Sequence, residues 1–491
     1  MPRRSPEFLV FAIDVGTSSL RTALFDDRAR HLSGTTARER YAVRYFSDGG
    51  AELSPAILNR AAAKCLRQTL RVYRASQTLK KIPIAAVGGS GFWHSLLGLD
   101  RIGKAITPIY TWADARSDDD AKQLRARLSE RAVQMRTGCM LRPSFWPAKL
   151  QWLRRTQPRL FHRVARWVSP ADWIFQTLFG VQTSSASMAS ATGLYDYYRE
   201  TWDEKLCEIC EVDQEQLPSI SQSTDFIRSG SAQLRSAKVF CPIGDGAAGN
   251  LGSSADREGS VAINLGTSAA ARMLLTNRKA RRVKLPFGLF RYVVDSNHSL
   301  IGGAISNAGN LRSWCLRELR LDNDPRGLRQ ALHRAAAAEE SISILPFWAN
   351  ERAPSWPDKQ HGTIAGLTQA TSAAEIFRAT TLSFCNRLAQ IVDAVEEVVA
   401  GANRVIISGG LVRSMSTVRL LADTLGRDVE ICREAEASLR GAAVHALRSL
   451  GRVPDSLGKG KVVRHDPRLA SKHRARRSRQ IALEKLLARF D

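Results

Sequence analysis

One heptapeptide occurs twice in this chain. Residues 12–18 read Ala-Ile-Asp-Val-Gly-Thr-Ser and residues 262–268 read Ala-Ile-Asn-Leu-Gly-Thr-Ser, five of seven positions being identical at an offset of 250 in 491 residues. Each copy follows an apolar run and precedes another, Leu20 to Phe25 in the first and Ala269 to Leu275 in the second. Self-similarity spaced by half the chain predicts two domains of one ancestry. We place the first at residues 1–255 and the second at 256–450, leaving 451–491 as a basic helical extension.

The repeat also carries chemistry. A buried strand that ends at Gly16-Thr17-Ser18 and then returns offers backbone N–H groups and hydroxyls to an anion. Asp14 stands beside that cradle, where a carboxylate makes sense if Mg²⁺ lies between it and a phosphate. The second copy has the neutral Asn264 instead, so its Gly266 and Thr267 are expected to border phosphate alone. A P-loop, G-x-x-x-x-G-K-[ST], is absent, and no G-x-G-x-x-G follows a strand.

Strand-like and helix-like segments alternate through the rest. Ile84 to Val87 reads as a strand ending in Gly88-Gly89-Ser90-Gly91, and Ser95 to Leu99 as another. Arg116 to Ala132 reads as a charged, solvent-facing helix and Ala373 to Val399 as a long amphipathic one. Val405 to Ile407 is a strand, followed by Ser408-Gly409-Gly410 and a helix from about Ser416 to Leu425. Such a strand–Gly-Gly–helix step turns a helix N-terminus toward a nucleotide. The alternation argues an α/β class.

Three segments hold candidate site residues. In Cys241-Pro-Ile-Gly-Asp245-Gly-Ala-Ala-Gly249, a carboxylate opens a helix of small residues. It reads either as an N-cap or as the acceptor of a proton from an attacking hydroxyl. Gly91-Phe-Trp93-His94-Ser95 and Tyr110-Thr-Trp112-Ala-Asp114-Ala-Arg116 are polar–aromatic clusters. Trp stacks on the apolar face of a sugar while His and Asp bind its hydroxyls, although taken singly these residues also suit a core. The loop Leu345 to Trp356 is aromatic and Pro-rich, with Glu351 and Arg352 as an ion-pair candidate.

Charge enters here. Lys and Arg number 72 against 47 Asp and Glu, a formal net charge of +25. Residues 452–491 hold 12 basic and 4 acidic residues, +8 of that excess. A basic balance invites nucleic acid or an anionic small substrate. No nucleic-acid reader module is recognisable, so no specific nucleic-acid partner is expected. Lys472 to Arg479 is expected to be a solvated helix face, with Ile481, Leu483, Leu486, Leu487 and Phe490 as the apolar docking stripe. Cys207 and Cys210 read as two residues on one helix face, since no second pair or nearby histidines complete a zinc site. No run of 18 apolar residues occurs, and the apolar run Phe8 to Ile13 is too short for a secretory core. A soluble cytoplasmic protein without membrane partners is expected.

In this order, Ile13-Asp14-Val-Gly16-Thr17-Ser18, Asp245-Gly-Ala-Ala-Gly249, Asn264-Leu-Gly266-Thr267 and Ile407-Ser-Gly409-Gly410 resemble the FGGY carbohydrate kinases, as do Pro346 to Trp356 and Gly366-Leu-Thr368. The resemblance covers about residues 8–450. It implies two ribonuclease H-like (actin-like ATPase) domains around a central cleft in which ATP–Mg²⁺ meets a sugar. It implies Asp245 as catalytic base and Asp14 as the metal-side carboxylate. Gly16, Thr17, Ser18, Gly266 and Thr267 would border the phosphates, and Gly409 and Gly410 the adenosine. Trp93, His94, Trp112 and Asp114 would contact the sugar. The words Trp93 to Asp100, Thr107 to Arg116 and Trp146 to Leu150 are most similar to the gluconokinase branch, so gluconate is the favoured acceptor. Many relatives have Pro-Tyr-Phe-Ser where this chain has Pro143-Ser144-Phe145-Trp146, and some pentulose kinases carry a polar side chain where Gly246 stands. A pentulose or polyol kinase is therefore the alternative. An actin- or Hsp70-like ATPase without a sugar is the reading from another class. Homodimerisation is left open.

Overall fold

The computed structural model describes every residue except 1–4, 230–233, 322–326, 328–329, 333–340, 350, 358–359, 400 and 490–491. Asn350 of the aromatic loop and Phe490 of the expected stripe lie outside the described residues.

Two main sheets of seven strands each organise the molecule. The first holds β1 (Leu9–Val15), β2 (Ser19–Asp26), β3 (Ala37–Arg40), β4 (Ile84–Gly91), β5 (Phe226–Arg228) and β6 (Lys238–Phe240), in the order β5-β6-β4-β1-β2-β3, with Ile243–Gly244 pairing beside β4. The second holds β7 (Ser260–Leu265), β8 (Ala269–Thr276), β9 (Phe290–Val293), β10 (His298–Ile305), β11 (Arg404–Ser408), β12 (Val429–Ile431) and β13 (Lys461–Val463), in the order β9-β10-β8-β7-β11-β12-β13. The path β3-β2-β1-β4-β6 matches β10-β8-β7-β11-β12 in order and direction: antiparallel, antiparallel, parallel, parallel. The sequence repeat is therefore a repeat of topology, with β1 and β7 central in their sheets. Strands with both faces covered read as continuous apolar runs, and all seven residues of β1 are buried.

The two copies differ at the turn. Val15 pairs with Leu20 across Gly16 to Ser19, whereas Leu265 pairs with Ala269 across only Gly266 to Ser268. The first turn is one residue longer, a difference the aligned heptapeptides do not reveal.

Helices cover the sheets. α1 (Pro55–Ala75) packs on β2 and β3. The expected helix over Arg116–Ala132 is two, α2 (Asp118–Arg127) and α3 (Glu130–Thr137), because Leu128 is extended and the Ser129 hydroxyl accepts from Ala132 N–H as a fresh N-cap. Cys207 and Cys210 are buried on α4 (Glu204–Cys210), as expected of two residues on one helix face. α5 (Asp245–Gly252) follows the Ile243–Gly244 step. α6 (Ala373–Glu396) is the long helix expected there, but it is buried without a break from Ala379 to Ala389, so its middle is a core helix with no polar face to solvent. It lies between β8 and β10 on one side and α7 (Met415–Leu425) and later helices on the other.

α8 (Ala437–Ser449) leaves the second sheet and packs on α5, β4 and β1 of the first half. The α5–α8 contact is backbone against backbone. A Cβ on Gly252 would stand 1.7 Å from the Ala437 carbonyl oxygen, and one on Gly441 would stand 1.8 Å from that of Ala248.

The chain from residue 451 then returns to the second half, adding β13 and the helix α9 (Ala470–Leu487). The expected apolar stripe is not the docking face of α9. The buried residues are His473, Arg476, Gln480 and Glu484, a polar stripe at helical spacing. The reason is its partner. α6 presents Asn386 and Arg387, which need hydrogen bonds once buried. Asn386 donates to Gln480 at 2.8 Å, and Arg387 donates to both oxygens of Glu484 at 2.9 and 3.1 Å and to the Ala353 carbonyl at 3.0 Å. The expected solvated face Lys472–Arg479 holds only in part: Lys472, Arg474 and Arg479 are exposed, whereas His473 and Arg476 are buried. Among the described residues no helix is long and apolar enough to cross a membrane.

Candidate active site

A cleft of about 930 Å³ opens between the two Gly-Thr turns, at the upper end of the volumes usual for small-molecule sites. Thr17, Ser18, Trp93, His94, Trp112, Asp245, Gly266, Thr267 and Gly410 of the expected set line it, together with Asn264. Gly16 and Gly409 are the chain neighbours of lining residues.

Asp14, at the penultimate position of β1, is buried and lies opposite Arg21 in the antiparallel register. Arg21 forms an ion pair with Asp14 and another with Glu436, while the Ser90 hydroxyl donates to Asp14 Oδ1 at 2.6 Å. Asp14, and then Glu436, hold the Arg21 guanidinium even more firmly protonated than usual. The Tyr41 hydroxyl donates to the Gly16 carbonyl at 2.6 Å and pins the turn. In the second copy Asn264 is uncharged, and its amide donates to the Ser408 hydroxyl at 3.4 Å, tying the second turn to the Gly409–Gly410 step.

Asp245 is the first residue of α5, with Gly244 as N-cap, so the N-cap reading of the carboxylate is not the one formed. Its Oδ1 accepts from the Gly246 N–H at 2.7 Å, which fixes the carboxylate's orientation. Burial pushes its pKa up from 3.8 to about 6, Arg272 opposes that rise and Asp14 adds to it. A carboxylate tuned toward neutrality is matched to general-base work near pH 7.

Along the aromatic wall of the cleft, the Trp93 indole donates to the Ser187 carbonyl at 3.0 Å and meets the Tyr292 ring edge-on at 4.9 Å. His94 sits in the left-handed region with φ 67°, and its Nδ1 donates to the Ala191 carbonyl at 2.7 Å. Burial drives its pKa down to about 3, so the ring is neutral and Nε2 is left as an acceptor. Trp112 donates from Nε1 to the Thr17 hydroxyl at 3.3 Å, joining this wall to the first turn. The Arg352 guanidinium stacks 4.6 Å from the Trp112 ring.

The structure does not bring Asp114 to the cleft. Its Oδ2 accepts from the Ala51 N–H at 3.0 Å and from Arg116 at 2.6 Å, and its Oδ1 accepts from the Arg116 backbone at 3.2 Å. Arg116 also donates to Glu52 at 2.7 Å, making a buried structural network two residues away from Trp112. Glu351 and Arg352, the ion-pair candidate, do not bind each other through their side chains. Glu351 accepts from Ser306 N–H and Asn307, and Arg352 donates from its side chain to Ser306 and the Ile305 carbonyl.

Sequence reasoning missed Arg21, Tyr41, Arg272 and Tyr292, all of which line the cleft. A signal existed for two of them. Arg272 is the lone charge of an otherwise apolar strand and Arg21 lies next to a buried apolar run, and a charge is kept in such a place only for a partner or a ligand.

Compared with known proteins, the chain matches the FGGY family of carbohydrate kinases, N-terminal domain, over residues 9–249 and the C-terminal domain over residues 261–450. It is 26% identical over 484 residues to the gluconokinase of Bacillus subtilis (strain 168), covering 93% of this chain and 91% of that protein. It is also 26% identical over 495 residues to the glycerol kinase of Ectopseudomonas mendocina, covering 95% of this chain and 96% of that protein. Among solved structures, a gluconate kinase and a ligand-bound xylulose kinase, both from Lactobacillus acidophilus, each superpose with a TM-score of 0.87 at 23% identity, covering 98% of both chains. The fold is thus the two-domain actin-like ATPase architecture, and the two matched domains account for nearly the whole chain. The chain belongs to the FGGY family of carbohydrate kinases and is an ATP-dependent sugar kinase.

Proposed function

We propose that this kinase transfers the γ-phosphoryl group of ATP to a terminal hydroxyl of a small polyhydroxy acid, gluconate first, with Asp245 as general base. The observation that carries the reading is the Asp245 carboxylate, oriented by Gly246 and tuned to about 6, in a cleft bordered by two Gly-Thr turns. Trp93, His94 and Trp112 hold the acceptor. His94 Nε2 accepts from a sugar hydroxyl, and the two indoles cover its apolar face. Asp245 takes the hydroxyl proton as that oxygen bonds to the γ-phosphorus and the bond to the ADP oxygen breaks. Gly16, Thr17, Ser18, Gly266 and Thr267 hold the phosphates through N–H and hydroxyl donors. Gly409 and Gly410 border the adenosine.

Mg²⁺ fits one carboxylate plus the nucleotide's own phosphates and water, which is how this ion is usually held. Asp14 would be that carboxylate, Arg21 giving up its place on Oδ2. No cluster of three or more His, Cys, Asp or Glu side chains among the described residues offers an all-protein cage. Bound there, the ion would neutralise phosphate charge.

Gluconate is favoured by the two curated gluconokinase relatives, each 26% identical over about nine-tenths of this chain. The equal TM-score to a xylulose kinase supports a neutral pentulose as the second reading. ADP release measured over gluconate, xylulose, ribulose and glycerol separates them. We expect kcat/KM for gluconate to lead by at least about tenfold, which needs only ~1.4 kcal/mol of differential binding. A neutral ketose in the lead would replace gluconate. ATP hydrolysis indifferent to every acceptor would instead favour an actin-like ATPase.

A further inference from the structure

Arg272 is the one charged residue of β8, Ala-Ala-Ala-Arg-Met-Leu-Leu-Thr. Its side chain enters the cleft on the acceptor side. A Cβ added to Gly246 would lie 2.7 Å from Arg272 Nε, 2.8 Å from its Cζ and 2.3 Å from a Trp93 ring carbon. Only a glycine at 246 lets the guanidinium lie flat against the start of α5, next to Asp245 and Trp93.

The guanidinium is uncommitted. Its Nε is buried with no hydrogen-bond partner, and among the described residues no hydrogen bond or ion pair reaches its other nitrogens. The neighbouring cleft arginines are committed: Arg21 to Asp14 and Glu436, Arg38 to Glu436, and Arg352 to Ser306 and Trp112. Arg40 is exposed to solvent. Five N–H donors in a planar fork are costly to leave unmade away from water.

Local charge points the same way. Arg352, Lys149 and Arg272 all act on His94 as positive charges. Lys149, buried, is satisfied by carbonyls alone, at 3.0 Å from Pro143 and closer to that of Ser144. Asp245 is the carboxylate that faces this group, since Glu351 and Asp114 are spent on backbone and Arg116. Arg272 and Arg352 line this cleft with Asp245 and, among the described residues, neither makes an ion pair, so an anionic ligand would satisfy donors that the protein leaves open in a partly desolvated space.

We propose that Arg272 recognises a carboxylate on the acceptor, making it the residue that selects polyhydroxy acids over neutral ketoses and polyols. This rests on the sugar-kinase reading above, with Asp245 as base. The same fork also fits the γ-phosphoryl group of ATP. Arg272 lies against Trp93 and near Tyr292 on the acceptor side, which favours the substrate carboxylate.

The test compares wild type, Arg272→Met and Arg272→Lys. Gluconate and the best neutral acceptor of the panel are assayed at saturating ATP, and gluconate binding is measured by calorimetry without nucleotide. Expected for Arg272→Met is a loss of about 100-fold or more in kcat/KM for gluconate, chiefly through KM, since a site built to hydrogen-bond a group loses strongly without that bond. With both acceptors assayed near pH 8, where Asp245 stays ionised although Arg272 no longer holds its pKa down, neutral-acceptor kcat/KM should fall at least about tenfold less than that for gluconate, calorimetric gluconate binding should vanish, and Lys should restore only part of it. An equal fall in kcat on every acceptor would assign Arg272 to the phosphoryl group and overturn the proposal, as would unchanged gluconate kinetics. A wild type that ignores gluconate but phosphorylates a ketose defeats the acid selection and leaves the kinase reading standing. An unchanged ATP affinity and a thermal midpoint no lower than that of wild type in both variants exclude misfolding as the cause.

Discussion

Asp245→Asn removes a proton acceptor and also a charge that the fold holds uncomfortably, so it should have two opposite effects. In catalysis the loss of a positioned base lowers kcat by about 10²–10⁴. ATP binding should persist, because on the proposed reading the Gly-Thr turns hold the phosphates and this carboxylate does not. In stability the sign reverses. The folded pKa is raised from 3.8 to about 6, a shift of about two units that corresponds to ~3 kcal/mol at 1.36 kcal/mol per unit. The folded state binds this proton more tightly than the unfolded chain. The associated stability is fully present below 3.8 and is lost as pH rises through about 6. Above that, the ionised Asp245 carries the full desolvation cost and Asn does not. The variant should therefore be more stable than wild type by on the order of 2–3 kcal/mol near pH 8, the advantage shrinking toward zero near pH 4. Urea denaturation across that range, beside coupled ADP-release kinetics and calorimetric ATP titration, reads all three quantities. Wild-type kcat/KM should rise with pH through about 6. Near-native turnover in the variant would falsify the base assignment. A variant no more stable than wild type at any pH would refute the burial argument while leaving the kinetics to stand alone.

Two further outcomes follow from the geometry. Asn264→Asp puts a negative charge where the second turn faces the phosphates and abolishes the amide donor to Ser408; ATP Kd should rise on the order of tenfold, about 1.4 kcal/mol, by calorimetry, and unchanged affinity would mean this turn does not face phosphate. Glu484→Ala leaves the fully buried Arg387 guanidinium without its carboxylate, so unfolding free energy should drop by about 3–5 kcal/mol, whereas Glu484→Gln, which keeps an acceptor, should lose visibly less; equal stability of all three proteins in urea would show that α9 docks by other means.

What was legible in the sequence was local. The repeat announced two homologous sheets because each copy is the same strand–turn–strand unit in the middle of its sheet. Asp245 stood out because a carboxylate opening a run of Gly and Ala has few structural uses. What stayed hidden depended on partners distant along the chain. Asp114 looked like a sugar ligand until Ala51 and Arg116 took both its oxygens. The polar face of α9 could not be anticipated, because Asn386 and Arg387, nearly a hundred residues earlier, decide which side of that helix is buried. Composition pointed the other way there, since Ile481 and Leu486 favour burial but were left partly or well exposed. Arg272 was passed over as part of an apolar strand, although that apolar context was the informative part.

The chain crosses between the halves three times: after α5 into β7, from β12 into α8, and from α8 into β13. α8 belongs by chain order to the second half and by packing to the first. Locked to α5 at Gly252 and Gly441, it holds the helix that Asp245 opens although it is encoded after β12 of the second sheet. Asp245 is thus anchored to the first sheet by a helix that the chain supplies from beyond the strands of the second, so a change at α8 would reach Asp245 without touching a residue that lines the cleft in between.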